Sequence, residues 1–156
     1  MATTPRNNMV QDLSNKPPVQ YPISSGGSFD INAGDLCWYD STVGYIKPLD
    51  SDAHANATFV GVAVDTSYTN PYGTKEYVAS LGVWVGNVHS FFMTAGDTYI
   101  EGTPVYFGSD AQTVQMQSGS HAIGYAKMRK GVASVAYAAG ATVDVLVVPN
   151  FPIVGA

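Results

Sequence analysis

Three histidines, one cysteine and a short acidic run are the residues of this chain whose types could do chemistry. A metal or acid–base site needs its groups at spacings that bring them onto one face. His54, His89 and His121 have no second ligand at helical or zinc-site spacing, and they read as structural histidines. Asp50-Ser51-Asp52 has the opening of a calcium loop, but His54 and Ala55 stand where an oxygen ligand and a glycine are needed, and no glutamate closes it. A solvated polar loop is the reading. Ser120 and His121 adjoin without a nucleophile-elbow pattern, and no phosphate-cradling glycine loop precedes a lysine. Asn56-Ala57-Thr58 would be glycosylated only on a secretory route. Cys37 lies between Leu36 and Trp38, with no neighbouring cation or histidine to activate it; it reads as a small buried hydrophobe, and a lone thiol forms no intrachain disulfide. The expectation is a protein without enzymatic activity, metal or cofactor.

The elements around these residues are β. Short apolar runs at 36–39, 59–64, 83–85, 104–107, 121–126 and 143–148 are rich in Val, Tyr, Trp and Phe and are separated by turn clusters, of which residues 69–74 are the clearest. Val143, Val145 and Val147 alternate with Asp144 and Leu146, as a strand with one buried face requires, and Pro149 and Pro152 are expected to end its pairing and protect its edge. Residues 51–58 are the one stretch expected to form a short helix.

Two stretches repeat. Ala33-Gly34-Asp35 leads into Leu36-Cys37-Trp38-Tyr39, and the chain returns as Phe59-Val60-Gly61-Val62-Ala63. Ala95-Gly96-Asp97 and then Gly102-Thr103 lead into Pro104-Val105-Tyr106-Phe107, and the chain returns as Ala122-Ile123-Gly124-Tyr125-Ala126. A glycine turn launches an aromatic strand, and a glycine-bearing strand comes back beside it. A unit used twice to build a sheet is scaffold.

Residues 1–28 differ in character, with Asn7-Asn8, Pro17-Pro18 and a Ser-Gly run that cannot form a core of their own. They read as an extended arm preceding a β domain at 29–156. Met9, Val10, Leu13, Val19, Tyr21 and Ile23 supply anchor side chains, and the backbone between them can add to a sheet edge of another chain. The other arrangement is an arm folded onto its own domain. Because the repeat begins only after Phe29, deletion of residues 1–24 is expected to spare the fold.

Only 12% of the residues are Asp, Glu, Lys or Arg, against about 25% in ordinary soluble domains. With 46% hydrophobic residues, the expectation is a surface partly buried against other chains. The net charge of −5 disfavours nucleic acid, since the only basic cluster, Lys127, Arg129 and Lys130, reads as a solvated turn. No apolar run reaches the ~18 residues of a membrane span, and the first residues show no signal peptide.

The glycine turn entering an aromatic strand, the return strand Val60-Gly61-Val62-Ala63 and the closing run Ala138-Ala139-Gly140-Ala141-Thr142-Val143-Asp144-Val145 together resemble the capsid-decoration, or cement, proteins of tailed bacteriophages over roughly residues 29–149. That resemblance implies an all-β fold of the β-clip or β-tulip type, a small barrel or sandwich, with no enzymatic activity. It also implies a homotrimer on the outer surface of the virion, made in the bacterial cytoplasm, whose partner is the major capsid protein. The arm's six anchors and Trp84, which lies between Gly82 and Gly86, are the expected capsid or subunit contacts. A rival reading makes Trp84, Tyr99, Tyr106 and Tyr125 a platform for host glycans; Tyr106 and Tyr125, inside the repeated strands, are expected to pack in the core instead.

Overall fold

Runs of β-branched and aromatic residues broken by glycine turns form fifteen strands, with no helix among the described residues. The computed structural model describes residues 3–13, 17–23, 30–42, 44–48, 57–70, 72–116, 122–127 and 134–149. The arm region holds β1 (Met9–Gln11) and β2 (Val19–Pro22). The first repeat holds β3 (Leu36–Asp40), β4 (Tyr45–Pro48) and β5 (Ala57–Ala63). Next come β6 (Tyr68–Thr69), β7 (Glu76–Tyr77), β8 (Ser80–Trp84), β9 (Val88–Met93) and β10 (Thr98–Ile100). The second repeat and the end of the chain hold β11 (Pro104–Phe107), β12 (Thr113–Gln115), β13 (Ala122–Lys127), β14 (Ser134–Ala136) and β15 (Thr142–Val147).

Five of these strands close on themselves. β9, β12, β11, β13 and β15 pair in that order, and β15 returns to β9 through the register Val88↔Leu146 to Phe92↔Thr142. Closure removes the edges that an open sheet of this size would leave. A second sheet runs β2-β8-β5-β3-β4. The valine alternation of β15 is realised, with Val143, Val145 and Val147 buried inside the barrel. Both of its edges are paired, so Pro149 follows a strand with no free edge to protect; Pro152 lies outside the described residues. Residues 57 and 58, expected at the end of a short helix, open β5 instead; residues 51–56 of that stretch lie outside the described residues.

The core has two parts. Phe91, Val105, Phe107, Ile123 and Val145 fill the barrel, and Leu36, Trp38, Phe59 and Val62 from one face of the second sheet join the same cluster. The other face of that sheet, with Cys37, Ile46, Val60 and Val83, packs on Ile23 and Ile31 in a separate cluster. Each fully buried side chain of this size stabilises by roughly 1.5–3 kcal/mol.

The duplication is a duplication of backbone pairing. β3 pairs β5, and β11 pairs β13, both antiparallel. In the first copy Gly34 N–H donates to Ala63 O at 2.9 Å and Ala63 N–H donates to Asp35 O at 2.9 Å. In the second, Gly102 N–H donates to Ala126 O at 2.8 Å and Ala126 N–H donates to Thr103 O at 3.0 Å. The counterpart of Gly34-Asp35 is therefore Gly102-Thr103, and not Gly96-Asp97. Gly96 and Asp97 make a third copy of the clamp, exchanging bonds of 2.9 and 3.3 Å with Tyr137.

Candidate functional site

The arm is the part of the chain with a geometry that sequence reading did not supply. Its composition left docking on another chain and folding back on its own domain both open, and deletion of residues 1–24 was expected to spare the fold. β1 instead adds to β9, with Met9 opposite His89, and β2 adds to β8, with Val19 to Pro22 opposite Val83 to Ser80. The arm folded onto its own domain is thus the arrangement seen, through β1 on β9 and β2 on β8. The reason is a row of buried polar groups that the arm's first residues satisfy.

Asn8, buried, donates through Nδ2 to Gly34 O at 3.0 Å, and its Oδ1 lies 3.2 Å from His89 Nδ1. Gln112 Nε2 donates to Thr4 O at 2.8 Å and to Asp35 Oδ1 at 2.9 Å. Asn32 Nδ2 donates to Thr3 O at 3.0 Å, while its own N–H donates to Asp35 Oδ2 at 2.9 Å. Arg6 N–H donates to Ala33 O at 2.9 Å, and its guanidinium donates to Ser90 O and covers the Phe92 ring, 4.5 Å from the centroid. A cleft of 290 Å³ between Thr3–Arg6 and Phe92, Asp110 and Gln112 follows this seam. Burial pushes the Asp35 carboxyl above its ordinary range, against hydrogen bonds from Asn32, Thr3 and Gln112 that lower it.

The seven expected contact residues divide by exposure. Val10, Leu13 and Val19 present 53%, 52% and 41% of their surface to solvent. Met9, Tyr21 and Trp84 are half-buried, and Ile23 is buried in the core of the second sheet. Leu13 is held in place by its N–H donating to Asn87 Oδ1 at 2.9 Å. Asn87 has φ +68 next to Gly86 at +83, a turn in which two successive positive φ values swing the chain from β8 to β9.

His89 is fully buried. Because Asn8 spends its Nδ2 on Gly34 O, its Oδ1 is the acceptor, and His89 carries its proton on Nδ1. Nε2 then stands buried without a hydrogen-bond partner. Burial pulls the imidazole down to about 4, with a backbone interaction from Gly86 opposing. Cys37 is buried, and desolvation first, then Asp35, pushes its thiol well above the ordinary range. His54, His121, the Asp50-Ser51-Asp52 run, Arg129 and Lys130 lie outside the described residues. Lys127 donates to Gln11 Oε1 at 2.6 Å. Among the described residues no three His, Cys, Asp or Glu side chains gather at metal-binding distance.

The four aromatics of the sugar platform do not share a surface. Tyr99 is fully buried, its hydroxyl donating to Val114 O at 2.6 Å. Tyr106 and Trp84 are half-buried. Tyr125, expected in the core, is 45% exposed, because the bulge between β11 and β13 turns it outward while Ile123 and Ala126 point in. No protein-family model matches the chain, and no curated protein matches it.

Proposed function

We propose that this protein is a structural component of a tailed-phage head, bound to the outer surface of the capsid as a homotrimer and clamping neighbouring copies of the major capsid protein. The observation that carries the reading is the arm. Its strands extend two different sheets, yet Val10, Leu13 and Val19 remain turned to solvent on backbone that is already ordered. Apolar side chains on a preorganised extended segment lose little entropy on docking, which favours them as contacts. The resemblance of the repeated strand pair to decoration proteins supplies the class of partner. A trimer that binds only the expanded shell stabilises it by its binding free energy at every site, so modest contacts multiply over many copies.

The test is a titration of purified protein onto undecorated heads, read as occupancy per capsid. The wild type should saturate, and the Val10→Asp/Leu13→Asp variant should bind at least tenfold more weakly with an unchanged melting temperature. Equal binding by the variant would remove the arm from the contact, and no binding by either protein would remove the capsid.

A further inference from the structure

The two described parts of the arm are held by different forces. Of residues 3–13 only Asn8 is buried. Their attachment is polar: Arg6 donates through its N–H to Ala33 O and through its guanidinium to Ser90 O, Asn8 Nδ2 donates to Gly34 O, Ser90 N–H donates to Asn8 O at 2.8 Å, and Thr3 O and Thr4 O accept from Asn32 and Gln112. On opening, water replaces bonds of this kind. Residues 17–23 end instead in Ile23, buried in an apolar cluster with Val60, Leu81 and Val83, its N–H donating to Ala79 O at 3.3 Å. Segments with little buried apolar surface are the ones that open while the rest of a domain stays folded. Under the first of these segments lies His89. Met9 stands opposite it in the β1–β9 register, and Asn8 Oδ1 accepts its Nδ1 proton. Val145 of β15 and Phe91 of its own strand flank it, and none of these four residues carries a charge. The charged groups of the same elements lie elsewhere: Arg6 on the arm and Asp144 on β15 are set on Ser90, Lys127 reaches the arm at Gln11, and Asp35 follows the Gly34 carbonyl that Asn8 grips. His89 Nε2 has no hydrogen-bond partner, so a second proton on the ring finds no acceptor while the arm is in place.

We infer that residues 3–13 are a strap that opens as a unit in acid, when His89 takes up its second proton, while β2 keeps the rest of the arm on its sheet. Opening lets water reach the imidazolium, which the closed strap excludes. It frees the β9 edge from Val88 to Ser90 and carries Val10 and Leu13 away from the barrel, leaving Val19 in place. An imidazole at about 4 in the closed form and at its ordinary 6.5 once open makes opening rise by up to about tenfold per pH unit between those values. Asp35, raised by burial in the same seam, acts in the opposite sense. The inference concerns the free protein and stands whether or not a capsid is its partner.

Amide hydrogen exchange of the full chain between pH 6.5 and pH 4.5, corrected for intrinsic rates, is the test. Protection of the Ser90 and Arg6 N–H groups should fall about tenfold or more across that range, while the Ile23 N–H stays the better protected. His89→Gln keeps a donor for Asn8 but takes up no proton, and it should abolish the fall. Should that variant not fold, NMR titration of the His89 imidazole in the wild type takes its place, and the ring should charge in step with the loss of Ser90 protection. Equal protection of Ser90 and Ile23 at every pH would mean that strap and domain open together and would overturn the proposal. So would Ser90 protection that does not change with pH, a fall that persists in His89→Gln, or an imidazole that charges while Ser90 stays protected.

Discussion

Gly61 and Gly124 occupy one position in two copies of the same bulged strand pair. Gly61 lies opposite Cys37 and Gly124 opposite Val105, and in each case the register skips the preceding residue, Val60 or Ile123. Both have positive φ, +144 and +156. A Cβ at Gly61 would fall 2.1 Å from Trp84 O, and one at Gly124 would fall 2.0 Å from Leu146 O. The bulge resets the period of two. Phe59 and Val62, three residues apart, thereby share one face, and Ile123 and Ala126 share another.

Replacing either glycine by alanine should destabilise the fold by roughly 2–5 kcal/mol, from a backbone conformation that L residues avoid and a neighbouring carbonyl that cannot move away. Gly96→Asn is the control. It has φ +86 with nothing within 4 Å of its missing Cβ, and asparagine tolerates that region, so little loss is expected. Urea denaturation of the three variants checks this; a Gly124→Ala protein as stable as Gly96→Asn would show that the strands shift to absorb the methyl.

His89 makes stability depend on pH in a stated direction. Its folded pKa of about 4 lies below the ordinary 6.5, so its contribution is fully present above pH 6.5 and is lost as pH falls toward 4. The full contribution is on the order of 3 kcal/mol. Asp35 acts in the opposite sense: its raised folded pKa means that its own contribution falls as pH rises above 3.8. The check is therefore a difference. Melting curves from pH 7 to pH 4 should fall less steeply for His89→Gln than for the wild type, and equal slopes would mean that the imidazole is not held neutral.

The strand pairs of the repeat were legible because each advertises itself locally, through a glycine turn and a run of Val, Trp, Tyr or Phe. The barrel's central strand β9 was not, since His89 and Ser90 interrupt its apolar pattern, and the buried His89 meets Asn8, 81 positions away in the chain. The bulges were equally silent: they decide that Tyr125 faces out, and nothing in Ala122-Ile123-Gly124-Tyr125 states the register. The seam was the least legible part. Gln112 meets Thr4 across 108 positions and Asp35 across 77, and polar residues that far apart carry no periodic signal.

Asp35→Asn should cost about 1–3 kcal/mol despite its matching shape. Both carboxylate oxygens accept, Oδ1 from Gln112 Nε2 and Oδ2 from the Asn32 N–H, so an amide must turn its NH₂ toward one of these donors. Chemical denaturation at pH 7 measures the loss. A neutral substitution there would mean that the carboxyl is already protonated in the fold.

Arm deletion separates structural from docking roles within the first residues. Composition alone suggested that residues 1–24 could be removed without loss of the fold, but removing even residues 1–13 takes away β1, the Asn8 amide that orients His89, and the Thr3 and Thr4 carbonyls that accept from Asn32 and Gln112. Each orphaned buried group costs roughly 1–3 kcal/mol unless water reaches it. The truncated protein is therefore expected to lose about 3 kcal/mol or more, seen as a lowered denaturation midpoint. Val10→Asp and Leu13→Asp act on side chains already in solvent and should stay within about 0.5 kcal/mol of the wild type. Thermal melts of the three proteins, beside their binding to undecorated heads, give the decisive comparison. Truncation that leaves the melt unchanged would return the arm to an appendage ordered only by a partner. Point variants that melt like the wild type but fail to bind would assign its outward face to docking.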